Sequence, residues 1–184
     1  VNSVLPHQLA QMCSAAGARL VHISTDCVFS GRKGNYTEDD VSDAEALYGR
    51  TKFLGEVHEP HCLTLRTSII GRELETSSGL IEWFLSQTGK RINGFRRAIY
   101  TGFTTHELAR VIEGVLLKHT DIGGLWHVSS DPINKYDLLA TAKSAFGWVG
   151  EIVPDDAFVC DRSLNSSKFR EKTDYQPPSW KAMI

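Results

Sequence analysis

The chain has 184 residues, 41% hydrophobic and 23% charged, with a formal net charge of -2. That balance suits an ordinary soluble domain with a sizeable core, and the slight acidity argues against a nucleic-acid binder that works through a broad basic surface. No apolar run approaches the roughly 20 residues that span a bilayer, and the first residues lack the basic-then-apolar pattern of a secretory leader.

Asn2 or Ser3 is expected to cap a helix over residues 3–16, with Leu5, Leu9, Met12 and Cys13 along one side and Gly17 ending it. Leu20–Ile23 reads as a short buried strand, and residues 24–43, polar and glycine-bearing, as a loop. A second helix is predicted over residues 44–57, then a strand at Cys62–Arg66 and a loop from Gly71 to Ser78. A third helix covers residues 79–87. Further on, Arg97–Tyr100 predicts a strand, 104–118 a helix, Leu125–Val128 a strand, and a helix opening at Asn134 or Lys135 runs through Phe146. Residues 151–153 read as extended and 166–171 as a short helix before Pro177-Pro178. Helices alternating with short apolar strands predict an α/β fold with a parallel sheet.

The four cysteines are scattered, which suits a reducing compartment. His58, His61 and Cys62 form the one cluster resembling metal ligands, but a structural zinc site needs four, so the expectation is no metal. His106 reads as a surface residue, the four tryptophans as packing residues, and Arg96-Arg97 as a basic pair that is either solvated or set against a phosphate.

Tyr48 and Lys52 carry the most chemistry. Four residues apart on a helix, they share a face. An ammonium beside a phenol favours phenolate and is expected to lower the Tyr48 pKa. Ser24, Thr25 and Asp26 fall at the carboxyl end of the first strand, the edge where open α/β sheets bind ligands. Thr25 and Tyr48 are therefore expected at one cleft, with hydroxyls ready for proton transfer around a carbonyl. Alone, Tyr-x-x-x-Lys is usually a half-buried tyrosine beside a solvated lysine, and Ser-Thr-Asp an ordinary hydrogen-bonded turn.

Several stretches together carry a family likeness. They are Val21-His-Ile-Ser-Thr-Asp-Cys-Val-Phe-Ser-Gly31, Tyr36-Thr-Glu-Asp-Asp40, Tyr48-Gly-Arg-Thr-Lys52 with Gly55-Glu56, Leu65-Arg-Thr-Ser68, and His127-Val-Ser-Ser-Asp-Pro-Ile-Asn-Lys-Tyr136. The chain resembles the extended short-chain dehydrogenase/reductase superfamily, in its dTDP-4-dehydrorhamnose reductase-like branch.

The resemblance implies a Rossmann-like parallel sheet, here incomplete at its N-terminal strands, with a small C-terminal substrate lobe. The division is expected between residues 1–119 and 120–184. It implies NAD(P)H as cofactor and reduction of a 4-keto nucleotide sugar. In that scheme Tyr48 donates a proton, Lys52 holds the nicotinamide ribose and keeps Tyr48 acidic, and Thr25 polarises the carbonyl with Ser24 beside it. Thr67 and Ser68 lie near the nicotinamide, Asp26 and the position of Ile69 near the sugar, and Asn2 steadies the site. The branch commonly has tyrosine where Cys27 stands and an aromatic where Ile69 stands.

No Gly-x-Gly-x-x-Gly turn is present, so the sequence is expected to be a piece lacking roughly 80 residues of cofactor-binding βαβαβ, including those that would distinguish NADH from NADPH. A homodimer through helices 3–16 and 44–57 and a cytoplasmic location complete the expectations. A 4-epimerase, a dehydratase and a non-catalytic subunit of a partner enzyme stay open as alternatives.

Overall fold

The computed structural model describes residues 1–74 and 79–184. The end of the loop expected from Gly71 to Ser78 lies outside the described residues. Helix α1 (Val4–Ala15) leads to strand β1 (Leu20–Thr25), followed by a 3-10 turn at Asp26–Val28 and helix α2 (Leu47–Phe53). Strands β2 (Cys62–Thr67) and β3 (Ile69–Ile70) precede α3 (Leu80–Ser86). Then come β4 (Arg91–Tyr100), β5 (Phe103–Thr104), α4 (Thr105–Lys118), β6 (Gly124–His127), β7 (Ile133–Asn134), α5 (Lys135–Phe146), β8 (Glu151–Asp161), α6 (Ser167–Thr173) and α7 (Trp180–Met183).

The central sheet is parallel throughout, in the order β1-β2-β6. Its middle strand β2 is buried at every position, including Thr64, Arg66 and Thr67. Leu63 and Leu65 pack with Phe103, Leu108, Val111 and Val115, so α4 covers that sheet with one face. A second sheet, β7-β4-β8, carries a separate core in which Phe84, Tyr100, Leu138, Trp148 and Trp180 meet. The sheets interleave along the chain: β4 precedes β6, yet β6 completes the first sheet and β4 centres the second. Among the described residues, β1 has a hydrogen-bonded neighbour on its β2 side alone.

Several boundaries differ from the sequence reading. Helix α2 spans Leu47–Phe53 rather than 44–57. At its front, the Asp43 carboxylate accepts from the Ser30 backbone and hydroxyl, holding the chain extended; behind it, Gly55 packs against the Asn2 carbonyl. The capping expected of Asn2 or Ser3 is also absent, because the Ser3 hydroxyl donates to the Thr51 carbonyl instead. Strand β4 extends back to Arg91 and β8 forward to Asp161. Both expose polar residues that masked their strand pattern, and β8, at the sheet edge, tolerates Pro154. The short α7 after Pro177-Pro178, capped by Ser179, was not expected. Asn134 does cap α5, accepting from the Asp137 N–H.

Candidate active site

Parallel register brings the ends of β1 and β2 together, with Ser24 opposite Arg66 and Thr25 opposite Thr67. At Thr25 the chain leaves the strand, and the Thr25 side chain accepts from the Cys27 N–H at 3.1 Å to open the 3-10 turn. Helix α2 then lies against this turn. The contact needs Gly49: a Cβ there would come within 2.0 Å of the Cys27 carbonyl oxygen. The glycine between Tyr48 and Lys52 thus lets the helix approach closely enough to bring the tyrosine to the strand tip.

Tyr48 is 53% exposed, so its ring opens to solvent at the carboxyl edge of the sheet. Desolvation nevertheless pushes its pKa up; the Thr25 side chain pulls it down, and Cys27 and Asp26 push it up further. The expected acidification by Lys52 is therefore not found. The reason is geometric: the Lys52 ammonium donates to the Ile23 carbonyl at 2.7 Å. Its own pKa is lowered by burial and supported by the charge of Glu56.

The other expected residues divide clearly. Thr25 and Asp26 are buried beside Tyr48, with the Thr25 hydroxyl 3.2 Å from Asp26 Oδ1. Burial raises the Asp26 pKa against the opposing influence of Cys27, Arg162, Thr25 and Lys135. Thr67 is buried as the register partner of Thr25. Ser68 and Ile69 continue from it, the Ser68 carbonyl accepting from the Phe103 N–H and Ile69 lying half exposed. Ser24 points elsewhere: its hydroxyl donates to Glu56 at 2.7 Å. Arg96 is taken by Asp156 in a two-point ion pair. His61 is engaged with the Ala10 carbonyl.

Sequence reasoning passed over two cations near the strand tip. Lys135 opens α5, and its ammonium sits 4.2 Å above the Tyr100 ring centroid. Burial lowers its pKa, and the largest counter-influence is Asp26. Arg162 donates to the Phe29 carbonyl and lies 3.7 Å from Cys27 Sγ. The signal for Lys135 was present in the Asn134-Lys135-Tyr136 stretch, but only folding brings that stretch to Asp26. Lys135 also borders an apolar cavity of about 220 Å³ lined by Leu80, Trp83, Phe95, Leu139 and Phe158, where the Phe95 and Phe158 rings stand 5.0 Å apart. A larger hollow of about 360 Å³ beside Arg19, His61 and Asp121 lies at the amino ends of the strands, the wrong edge for ligands in this type of sheet.

Comparison with known proteins shows the family and the fold. The family model described as the RmlD substrate binding domain matches residues 1–154. A dTDP-4-dehydrorhamnose reductase of Mycolicibacterium smegmatis is 32% identical over 132 residues, covering 62% of this chain and 38% of that protein. Methionine adenosyltransferase 2 subunit beta of Danio rerio is 30% identical over 146 residues, covering 72% of this chain and 45% of that protein. The chain thus spans less than half the length of either relative. Among solved structures, a dTDP-4-dehydrorhamnose reductase from Bacillus anthracis in complex with NADP superposes with a TM-score of 0.82. That match covers 99% of this chain and 69% of that one at 20% identity, a likeness of fold.

Proposed function

Because this chain belongs to the RmlD substrate-binding domain family, we propose that it carries the proton-donating and sugar-binding part of an NAD(P)H-dependent reductase of 4-keto nucleotide sugars. The observation that carries this reading is a half-exposed tyrosine on a helix packed against the turn that a buried threonine opens, at the carboxyl edge of a parallel sheet. The resemblance to a dTDP-4-dehydrorhamnose reductase supports the reaction class, and the shared fold with a reductase solved with NADP supports the cofactor.

The reduced nicotinamide supplies the hydride. Thr25 turns its hydroxyl proton from Asp26 Oδ1 to the sugar carbonyl and polarises it. Tyr48 then releases its phenolic proton to the oxygen as the carbonyl is reduced to an alcohol, and recovers a proton from solvent. Its raised pKa keeps it protonated until that moment, as a donor requires. Lys52, already at the strand backbone, would hold the nicotinamide ribose of the bound cofactor. Thr67 and Ser68 would border the bound nicotinamide, and Asp26 and Ile69 the sugar. No glycine turn for a pyrophosphate lies in these residues; those named here would serve the nicotinamide end of the cofactor.

Exposed Val4, Met12, Leu47 and Leu54 on and beside α1 and α2 support a homodimer through those helices. Four free cysteines suit a reducing cytoplasm. The test is oxidation of NADH and NADPH by the intact protein with dTDP- and UDP-4-keto sugars, where turnover with at least one sugar is expected. A second reading, a subunit that regulates a partner enzyme, is favoured by the likeness to an adenosyltransferase subunit. It predicts no turnover with any sugar.

A further inference from the structure

Behind the strand tip lies a buried cluster that the chemistry above leaves unused. Glu56, Arg66, His127 and Ser24 are each at most 4% exposed. Glu56 Oε1 accepts from Ser24 at 2.7 Å and from Arg66 Nε at 2.8 Å, and Oε2 accepts from Arg66 Nη2 at 2.7 Å. Arg66 Nη1 stands 3.2 Å from His127 Nε2, and His127 Nδ1 stands 3.0 Å from the Tyr36 carbonyl. A carbonyl only accepts, so Nδ1 carries the proton and Nε2 receives the one from Arg66. The histidine is therefore neutral, leaving one anion and one cation in the cluster.

Two features tie this cluster to the strand tip. Ser24 and Arg66 form one rung of the β1–β2 register, so Glu56 clamps both strands at the same level. Ser24 and Thr25 are successive residues of a strand, so their side chains leave on opposite faces. Fixing Ser24 on one face fixes Thr25 on the other. In addition, Glu56 follows Lys52 by four positions, where the chain turns off the end of α2.

We propose that Glu56 is a positioning residue for the reductase site: it pins the β1 tip through Ser24 and supplies negative charge that favours the ammonium form of Lys52. The proposal rests on the functional reading given above. Near Lys52 the charged and titratable groups include Glu56, Tyr48 on its own helix, His22 on β1, His7 on α1, which bonds the Leu54 carbonyl, and Arg66 on β2, which is tied to Glu56. His22 stays neutral, with a pKa pushed down to about 4 by burial and then by Lys52 itself. That leaves Glu56 as the group supporting the charge on Lys52.

The test is Glu56→Gln, which keeps the shape and the bond from Ser24 but removes the charge. In the 184-residue chain, carbon-13 methylated lysines are titrated by NMR, with Lys52 assigned through Lys52→Arg. The Lys52 titration is expected to fall by about one pH unit, a tenfold change. An unshifted titration overturns the proposal. This readout needs no turnover, so it stands apart from the reductase reading, which fails if the intact wild-type protein turns over no sugar. Should Glu56→Gln not fold, Ser24→Ala leaves the Glu56–Arg66 pair in place. In the intact enzyme it is expected to lower kcat about tenfold while KM stays within about twofold; an unchanged kcat overturns the pinning of the tip.

Discussion

Lys52 reaches across from α2 and donates to the carbonyl of Ile23, two residues before Thr25, at 2.7 Å. Helix and strand are thereby locked together one step behind the point where the proposed chemistry occurs. The lysine acts on the backbone before it acts on any ligand, which is why the neighbouring phenol is not acidified.

Tyr48→Phe removes one hydroxyl from a ring already half in solvent. The thermal midpoint is expected to move by little, while turnover in the intact protein falls by about 10²- to 10⁴-fold, the usual worth of a positioned acid. Calorimetry and cofactor oxidation measured on the same sample check both halves. Wild-type turnover in the variant refutes the proton-donor role.

Gly49→Ala places a methyl within 2.0 Å of the Cys27 carbonyl oxygen, an overlap only backbone movement relieves. The expected loss is about 1–3 kcal/mol of stability. Because α2 must back away from the turn, turnover should drop as well, though neither proposed catalytic side chain has changed. Urea denaturation and kinetics of the single variant measure these effects.

Arg66→Met leaves the Glu56 carboxylate buried without its partner. Breaking such a pair from one side costs about 3–5 kcal/mol. The double variant Glu56→Leu/Arg66→Met is expected to recover much of that loss, because neither charge then remains. Equilibrium unfolding of the three proteins decides the matter.

Acid should destabilise the fold. Burial, then the Lys52 charge, holds the His22 pKa near 4; burial, then Arg66, holds His127 near 3. In the unfolded chain both bind a proton at about pH 6.5. Their contribution is therefore intact above that value and is lost as pH falls toward 4. Asp26, raised by burial, works in the opposite sense. His22 Nε2 is buried without a partner, so His22→Leu removes a titrating group while breaking no hydrogen bond to that atom. The drop in midpoint from about pH 7 to about pH 5 should be smaller in this variant.

Met12 is 67% exposed on α1. If the apolar face of α1 and α2 meets a second copy, Met12→Lys is expected to shift the intact protein from dimer to monomer in sedimentation runs. A wild-type monomer refutes the interface.

Much of the site was legible because it is local. Tyr48 and Lys52 announce themselves by spacing, and Thr25 by following an apolar run. The family likeness drawn from those motifs matches the family found by comparison. The cluster of Ser24, Glu56, Arg66 and His127 was not legible, because strand register rather than sequence distance assembles it. Lys135 and Arg162 were missed for the same reason. Strand β8 was underestimated because it is an edge strand with exposed, charged positions, where no apolar alternation survives. The Tyr48 pKa was misjudged because spacing places two side chains on a face without saying which acceptor the lysine will choose.

Along one flank of Leu20–Thr25, the peptide N–H and C=O groups face no strand among the described residues. Such a flank is adhesive: it will recruit any extended segment, including the same flank of another molecule. Preparations of these 184 residues by themselves should accordingly show concentration-dependent association that soluble edge-blocking peptides suppress.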